Sequence, residues 1–267
     1  MPLKLIFYGC LILIHGIDLM RIFLPVKKIV STITHIAPEK FDYNAFRYRD
    51  QFVDCYQAMC IKSAEDLKAL TNKPIIPLQF WVNENLWKVL PFKRSVLREK
   101  NGLPLEIKLI GSFQRDTEGH DLKSPKLVKG PDIFCDYIER LDEPVEVVLA
   151  GWRRQYVMRR LDELGIKYHY FEMCEFEQIN ELYNCIDLYV VSSRREGGPQ
   201  AVPECAITQT PIISTDVGLA CEILSPESVN DDLFKAVPNV KYALQEVEQY
   251  KMEYQFEKFI ELFKTLL

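Results

Sequence analysis

Between residues 104 and 222 the chain alternates short apolar runs with segments of helical length and helical spacing. Residues 105–113 predict a strand. Residues 131–141 predict a helix whose Ile133, Phe134, Tyr137, Ile138 and Leu141 fall on one face. A strand over 145–150 follows, then a helix over 153–164 closed by Gly165, where the left-handed conformation suits glycine. The pattern repeats with a strand at 168–171 and a helix at 175–185. Leu188 to Val191 form another apolar run, followed by a polar turn, a helix-length segment and a strand over 211–215. Strands and helices alternating at these lengths predict a parallel, doubly wound α/β sheet.

The upstream third is less regular. Residues 3–14 are the most apolar stretch, yet shorter than the roughly 20 residues that span a bilayer. No small-residue cleavage site follows them, and His15, Asp18 and Arg21 arrive quickly, so a buried strand running into a helix is the expectation. Residues 27–36 predict a second buried strand, with His35 at its end. A mixed helical segment is expected near 44–59, a strand from 58 leading to a helix capped at Ser63, and a short strand at 75–78. The charged stretch 84–103, with Pro91, reads as a connection. At the far end Phe256, Phe259, Ile260, Phe263 and Leu267 form an amphipathic packing stripe.

Composition narrows the classes. Apolar content of 48% with 27% charged residues is that of a globular protein. A formal net charge of −5 argues against nucleic acid as the main partner. Eight cysteines show no C-x-x-C pair and no histidine at ligand spacing, which predicts reduced, mostly buried thiols and no zinc site.

The chemistry concentrates in residues 187–222, DLYVVSSRREGGPQAVPECAITQTPIISTDVGLACE. A strand, a glycine-bearing turn, a helix and a second strand place two loops at the carboxyl ends of parallel strands, where ligands of open α/β sheets bind. Glu196 lies in the first turn and Glu204 in the helix, with Gly197 and Gly198 between them. Glycines admit a ligand close to the backbone, and a helix N-terminus suits a phosphate.

The series Glu196-Gly197-Gly198-Pro199, then Glu204, then Thr215-Asp216-Val217-Gly218 and Glu222, resembles the donor-site signature of retaining glycosyltransferases of the GT-B fold, in particular glycosyltransferase family 4. The resemblance implies that Glu204 accepts the ribose hydroxyls of a nucleotide diphosphate sugar and that Glu196 lies beside the sugar ring. It implies donor contacts at Gly197, Gly198, Pro199 and Gly218. It extends to Gly111-Ser112-Phe113-Gln114-Arg115 and Lys129-Gly130, where Gly111 and Ser112 belong to the donor site. In the family a basic residue in this turn and a Lys-Gly pair hold the diphosphate, roles that Arg115 and Lys129 match. His35, at a strand end, matches a histidine that faces the donor sugar. Glu196, Arg115, Lys129 and His35 are thus the candidate catalytic residues.

The sequence departs from the pattern in places. Gln209 stands where a glycine usually ends the helix, so a left-handed cap there is expected to be strained. Leu219 replaces the second glycine of the TDVGG-like turn, and Pro203 requires a helix that begins near it or bends there. The family's amino-terminal glycine loop has no counterpart in residues 1–83.

The expected architecture is therefore a GT-B-like α/β chain. It has a partial amino-terminal Rossmann-like domain on the acceptor side (1–83), a linker (84–103), a doubly wound nucleotide-sugar domain (104–245) and a packing helix (246–267). The expected activity is metal-independent, cofactor-free transfer of a hexosyl group from a nucleotide diphosphate sugar to a glycan or lipid-linked acceptor, with retention implied by the resemblance. Cytoplasmic localisation, peripheral association at the inner membrane face and self-association are the accompanying expectations. Two alternatives stand beside it. The short amino-terminal part favours a nucleotide-sugar-binding remnant without turnover, and the fold also suits a sugar-nucleotide epimerase or hydrolase.

Overall fold

The computed structural model describes residues 5–7, 10–13, 28–38 and 41–266, which form two compact units. Met1–Trp81 with Tyr250–Leu267 make the first, and Val82–Gln249 the second.

The first unit is built on a five-stranded sheet whose spatial order follows the chain. Strands β1 (Leu5–Phe7) and β2 (Cys10–Leu13) are antiparallel, with Leu5 opposite Ile12. Within the apolar run 3–14, residues 5–7 and 10–13 are thus two short strands that satisfy each other's backbone groups, not one strand. The expected helix after it lies outside the described residues. Strand β3 (Lys28–Ile33) pairs in parallel with β2 and with β4 (Cys55–Ala58), and β5 (Ile75–Pro77) completes the sheet.

Helix α1 (Tyr43–Asp50) precedes β4 and is capped by Asp42, whose carboxylate accepts the Asn44 and Ala45 N–H groups. The strand expected from residue 58 in fact ends there, because Cys60 caps helix α2 (Ile61–Lys68) by accepting the Ser63 N–H at Sγ. Ser63, the expected cap, sits inside the helix and donates its hydroxyl to the Thr34 carbonyl at 3.2 Å.

In the second unit, α3 (Arg94–Lys100) is held in place by Arg98, which is 4% exposed. Its guanidinium donates to the Cys185 carbonyl at 2.9 Å and pairs with Asp187 at 2.6 Å. The stretch 84–103 therefore contributes a docked helix to this unit, and Lys88 and Leu90 N–H groups donate to Asn180 and Asn184.

Next come β6 (Lys108–Ser112) and a small antiparallel ladder of β7 (Thr117–Glu118) and β8 (Ser124–Pro125). Helix α4 (Pro131–Glu139), strand β9 (Val145–Ala150) and helix α5 (Gln155–Leu164) follow. Strand β10 (Tyr168–Phe171), helix α6 (Phe176–Cys185) and strand β11 (Leu188–Val191) continue the alternation. Helix α7 (Ala201–Thr208) and strand β12 (Ile212–Ser214) complete the sheet.

The order β10-β9-β6-β11-β12, parallel throughout, is that of a doubly wound sheet with its topological reversal at β6. Its core joins Ile110, Val147, Leu149, Val190 and Ile213 of the strands to Phe134, Ile138, Val157 and Leu161 of α4 and α5. Helices α8 (Ala220–Ile223) and α9 (Val240–Glu246) close this unit.

The last helix, α10 (Met252–Leu266), belongs to the first unit. Its Phe259 and Leu262 pack on Cys55 and Leu78, and the Phe259 ring stacks on Phe80 at 5.6 Å. Cys55, Cys60, Cys135, Cys174, Cys185, Cys205 and Cys221 take part in no disulfide. Among the described residues no helix is long and apolar enough to cross a membrane.

Candidate functional site

Two glycines set the backbone of the site in the second unit. Gly130 has φ +58°, and a Cβ there would lie 1.7 Å from the Ser192 carbonyl oxygen. Only glycine lets the turn before α4 press against the end of β11. Gly218 has φ +47°, and its Cβ would fall 2.1 Å from the Gly197 carbonyl oxygen. That carbonyl also accepts the Leu219 N–H at 2.9 Å, so the turn after β12 clamps the Glu196-Gly197 backbone. Thr215 N–H adds a bond to the Val191 carbonyl at 3.0 Å.

These approaches leave a cleft of about 250 Å³ at the carboxyl ends of β6 and β11. Phe113, Tyr183 and Tyr189 supply its aromatic wall, and Gly198 to Ala201 its opposite wall at the start of α7. Lys129, Glu196 and Glu204 supply its charge.

Lys129 Nζ and Glu196 Oε1 form an ion pair, with the side chains 22% and 9% exposed. The Ser193 hydroxyl lies 2.9 Å from Glu196 Oε1 and 3.2 Å from Gln114 Oε1, so its single proton serves the shorter contact. The Gln114 amide donates to the Lys129 carbonyl at 2.9 Å, tying the turn after β6 to the one before α4.

Glu204 is half-buried on α7, and its Oε2 accepts the Tyr183 hydroxyl at 2.7 Å. Burial pushes its carboxyl up to about 7, with the Tyr183 bond opposing the rise. Tyr183 itself is held well above the usual phenol range by burial and then by Glu204, so it remains a donor.

The candidate residues do not all converge. Lys129, Glu196, Gly198, Pro199 and Glu204 line the cleft, while Gly197 and Gly218 shape its backbone. Arg115 is not among the lining residues. Its Nε donates to the Thr117 carbonyl at 3.0 Å, and its guanidinium lies 5.3 Å from the Trp152 ring centroid. Ser112 is buried beneath the turn, where its hydroxyl and carbonyl accept from Arg154. A Cβ on Gly111 would meet Ile186 Cδ1 at 2.5 Å, so Gly111 serves packing of the strand. His35 is exposed in the first unit, with Nδ1 3.4 Å from the Thr34 hydroxyl.

Sequence reasoning missed Gln114, Ser193, Tyr183, Tyr189 and Lys126. Lys126 is held below its usual range by burial first and by Lys129 and Arg115 next, which marks three cations gathered about one turn. Asp116 is buried and paired with Arg154 at 2.6 Å. Its partner stands at the N-cap of α5, so only the fold reveals the pair. Among the described residues no group of three or more His, Cys, Asp or Glu side chains could hold a metal ion.

The doubly wound unit and the preceding, mostly parallel sheet have the fold of GT-B glycosyltransferases. Residues 122–248 match the family described as glycosyl transferases group 1, which supports a glycosyltransferase. No curated protein matches the sequence.

Three solved structures illustrate the likeness. HepE of Anabaena, in complex with UDP and glucose, superposes with a TM-score of 0.75 at 16% identity, covering 89% of this chain and 72% of HepE. Sucrose-phosphate synthase of Thermosynechococcus elongatus gives 0.74 at 14% identity, over 92% and 69% of the two chains. The lipopolysaccharide outer core galactosyltransferase WaaB gives 0.62 at 14% identity, over 90% and 69%.

Proposed function

We propose that this chain transfers a hexosyl group from a nucleotide diphosphate sugar to a glycan or lipid-linked acceptor, with retention at the anomeric carbon. The observation that carries the reading is the grouping of Lys129, Glu196 and Glu204 around one cleft at the carboxyl ends of β6 and β11. UDP is the first nucleotide to test, since HepE is solved with UDP and glucose.

In this reading the ribose hydroxyls donate to Glu204 and the sugar ring lies beside Glu196. The diphosphate lies toward Lys129 and the first turn of α7. As the glycosidic bond breaks, the nucleoside diphosphate leaves with the bonding pair, and fixed positive charge stabilises it. The acceptor oxygen supplies the new bond and passes its proton to the departing diphosphate oxygen. No metal or further cofactor enters this account. His35 is retained as a candidate catalytic residue, and Arg115 as a second cation for the phosphates.

One observation favours a binding-only reading. Arg115 rests on Trp152 rather than facing the cleft, which leaves Lys129, already paired with Glu196, as the lining cation. Incubation with UDP-glucose and a panel of nucleotide sugars, followed by product analysis, separates the readings. The proposal expects sugar joined to an acceptor, or slow release of free sugar when none is supplied. Bound donor recovered unchanged supports the remnant, and an isomerised sugar supports an epimerase.

A further inference from the structure

The Tyr183 hydroxyl has a single purpose visible in the structure. The ring is 2% exposed and packs edge-on to Trp87 at 5.8 Å, with Phe113 at 5.0 Å and Tyr189 at 5.6 Å. A phenylalanine would fill that space equally well, and a buried hydroxyl costs stability unless it is bonded. Its partner is Glu204 Oε2 at 2.7 Å, inside the cleft. Tyr189 fixes the neighbouring ring, because its hydroxyl accepts the Phe113 N–H at 2.9 Å. The phenol is therefore aimed at Glu204 by rigid packing rather than by chance.

We propose that Tyr183 is a positioning residue whose hydroxyl keeps Glu204 a carboxylate aimed into the cleft, as the acceptor for a ribose diol. The inference rests on the donor-site reading above. Glu204 faces Tyr183 from α6 and Tyr189 from β11, with Cys205 beside it on α7. Lys129 and Glu196 line the same cleft but are paired with each other. Burial raises the Glu204 carboxyl toward neutral pH and the Tyr183 bond holds it down. Removing the hydroxyl therefore lets Glu204 take a proton at a higher pH, and a neutral carboxyl has lost the charge that strengthens its hydrogen bonds.

The test is calorimetric titration of UDP between pH 6 and 9 into the wild type, Tyr183→Phe, Glu204→Gln and the double variant. Glu204→Gln removes the titrating carboxyl, so its profile carries only the ionisation of the nucleotide's own phosphate. Relative to that reference, wild-type affinity rises by up to about tenfold from pH 6 to 8 as the competent carboxylate fills. Tyr183→Phe binds about tenfold more weakly than wild type at pH 7. Most of that loss is recovered at pH 9, and the same substitution added to Glu204→Gln costs less than about twofold.

A loss in Tyr183→Phe that is equal at every pH, or that persists in the double variant, would show a packing role and overturn the inference alone. So would an unchanged profile. Failure of the wild type to bind UDP or any other nucleoside diphosphate would overturn the donor-site reading and the inference with it.

Discussion

Lys129 and Glu196, on separate turns, neutralise each other at the wall of the cleft. A nucleotide diphosphate that uses Lys129 must take it from Glu196. From sequence, Glu196 is expected to leave the free nucleotide untouched, because its place is beside the sugar. The ion pair alters that expectation. Glu196→Gln frees Lys129, so affinity for the free diphosphate rises about fivefold, the equivalent of roughly 1 kcal/mol, while turnover falls. Lys129→Met lowers that affinity by about tenfold or more, the loss of a charge-assisted bond. Titration calorimetry beside turnover measurements checks both. Weaker nucleotide binding in Glu196→Gln would contradict this account of the pair.

Glu204 makes stability depend on pH in a set direction. Its carboxyl is about 7 in the folded protein against 4.5 for the ordinary side chain. Between those values the folded state holds a proton that the unfolded state has released, so the wild type loses stability as pH rises through this window. Glu204→Gln escapes the loss. Its melting temperature should match wild type near pH 4 and exceed it at pH 8, by the equivalent of roughly 1–3 kcal/mol. The site then costs the fold some stability, as functional sites do. A variant that gains nothing between pH 4 and 8 would show that Glu204 is not held in this way.

Gln209 closes α7 in the left-handed conformation at φ +55°, the strained cap its position after the helix foretold. A side chain costs about 1 kcal/mol there relative to glycine. Gln209→Gly should raise stability by about 0.5–1 kcal/mol, since the gain is offset in part by the freer unfolded chain. Urea unfolding measures it, and a destabilised variant would refute the strain.

Gly218 behaves in the opposite sense. Gly218→Ala drives a Cβ against the Gly197 and Glu196 carbonyl oxygens, both backbone atoms that cannot step aside. The expected cost is at least about 2 kcal/mol, with loss of nucleotide binding as the Glu196 turn shifts. An alanine variant of native stability and affinity would show that the clamp between the two turns is dispensable.

The regular part of the fold was legible because its signals are local. Strands β9, β10 and β11 fall on their apolar runs, and Gly165 ends α5 in the left-handed conformation. Pro203 is compatible with its helix because it lies in the first turn of α7. The upstream unit was harder, since an apolar run such as 3–14 fits one strand or two, and only pairing decides. The strand near 58 was misplaced because Met59, Cys60 and Ile61 are apolar yet form a helix start. In the site, spacing revealed Glu196, Glu204 and the glycines, which are close in sequence. It could not reveal Tyr183 on Glu204 or Arg154 on Asp116, which meet only through the packing of distant elements.

The central claim is that the cleft at the carboxyl ends of β6 and β11 holds a nucleotide diphosphate, and thermal unfolding with a ligand panel tests it most directly. The panel comprises UDP, GDP, ADP and CDP with their sugars. A ligand at 100 times its Kd stabilises the fold by about 2.7 kcal/mol, which for a chain of this size raises the melting temperature by roughly 5–10 °C. The account predicts that one base gives such a shift, and that Glu204→Gln or Lys129→Met diminishes it. No shift with any nucleotide in folded protein, or a shift unchanged in both variants, would contradict it.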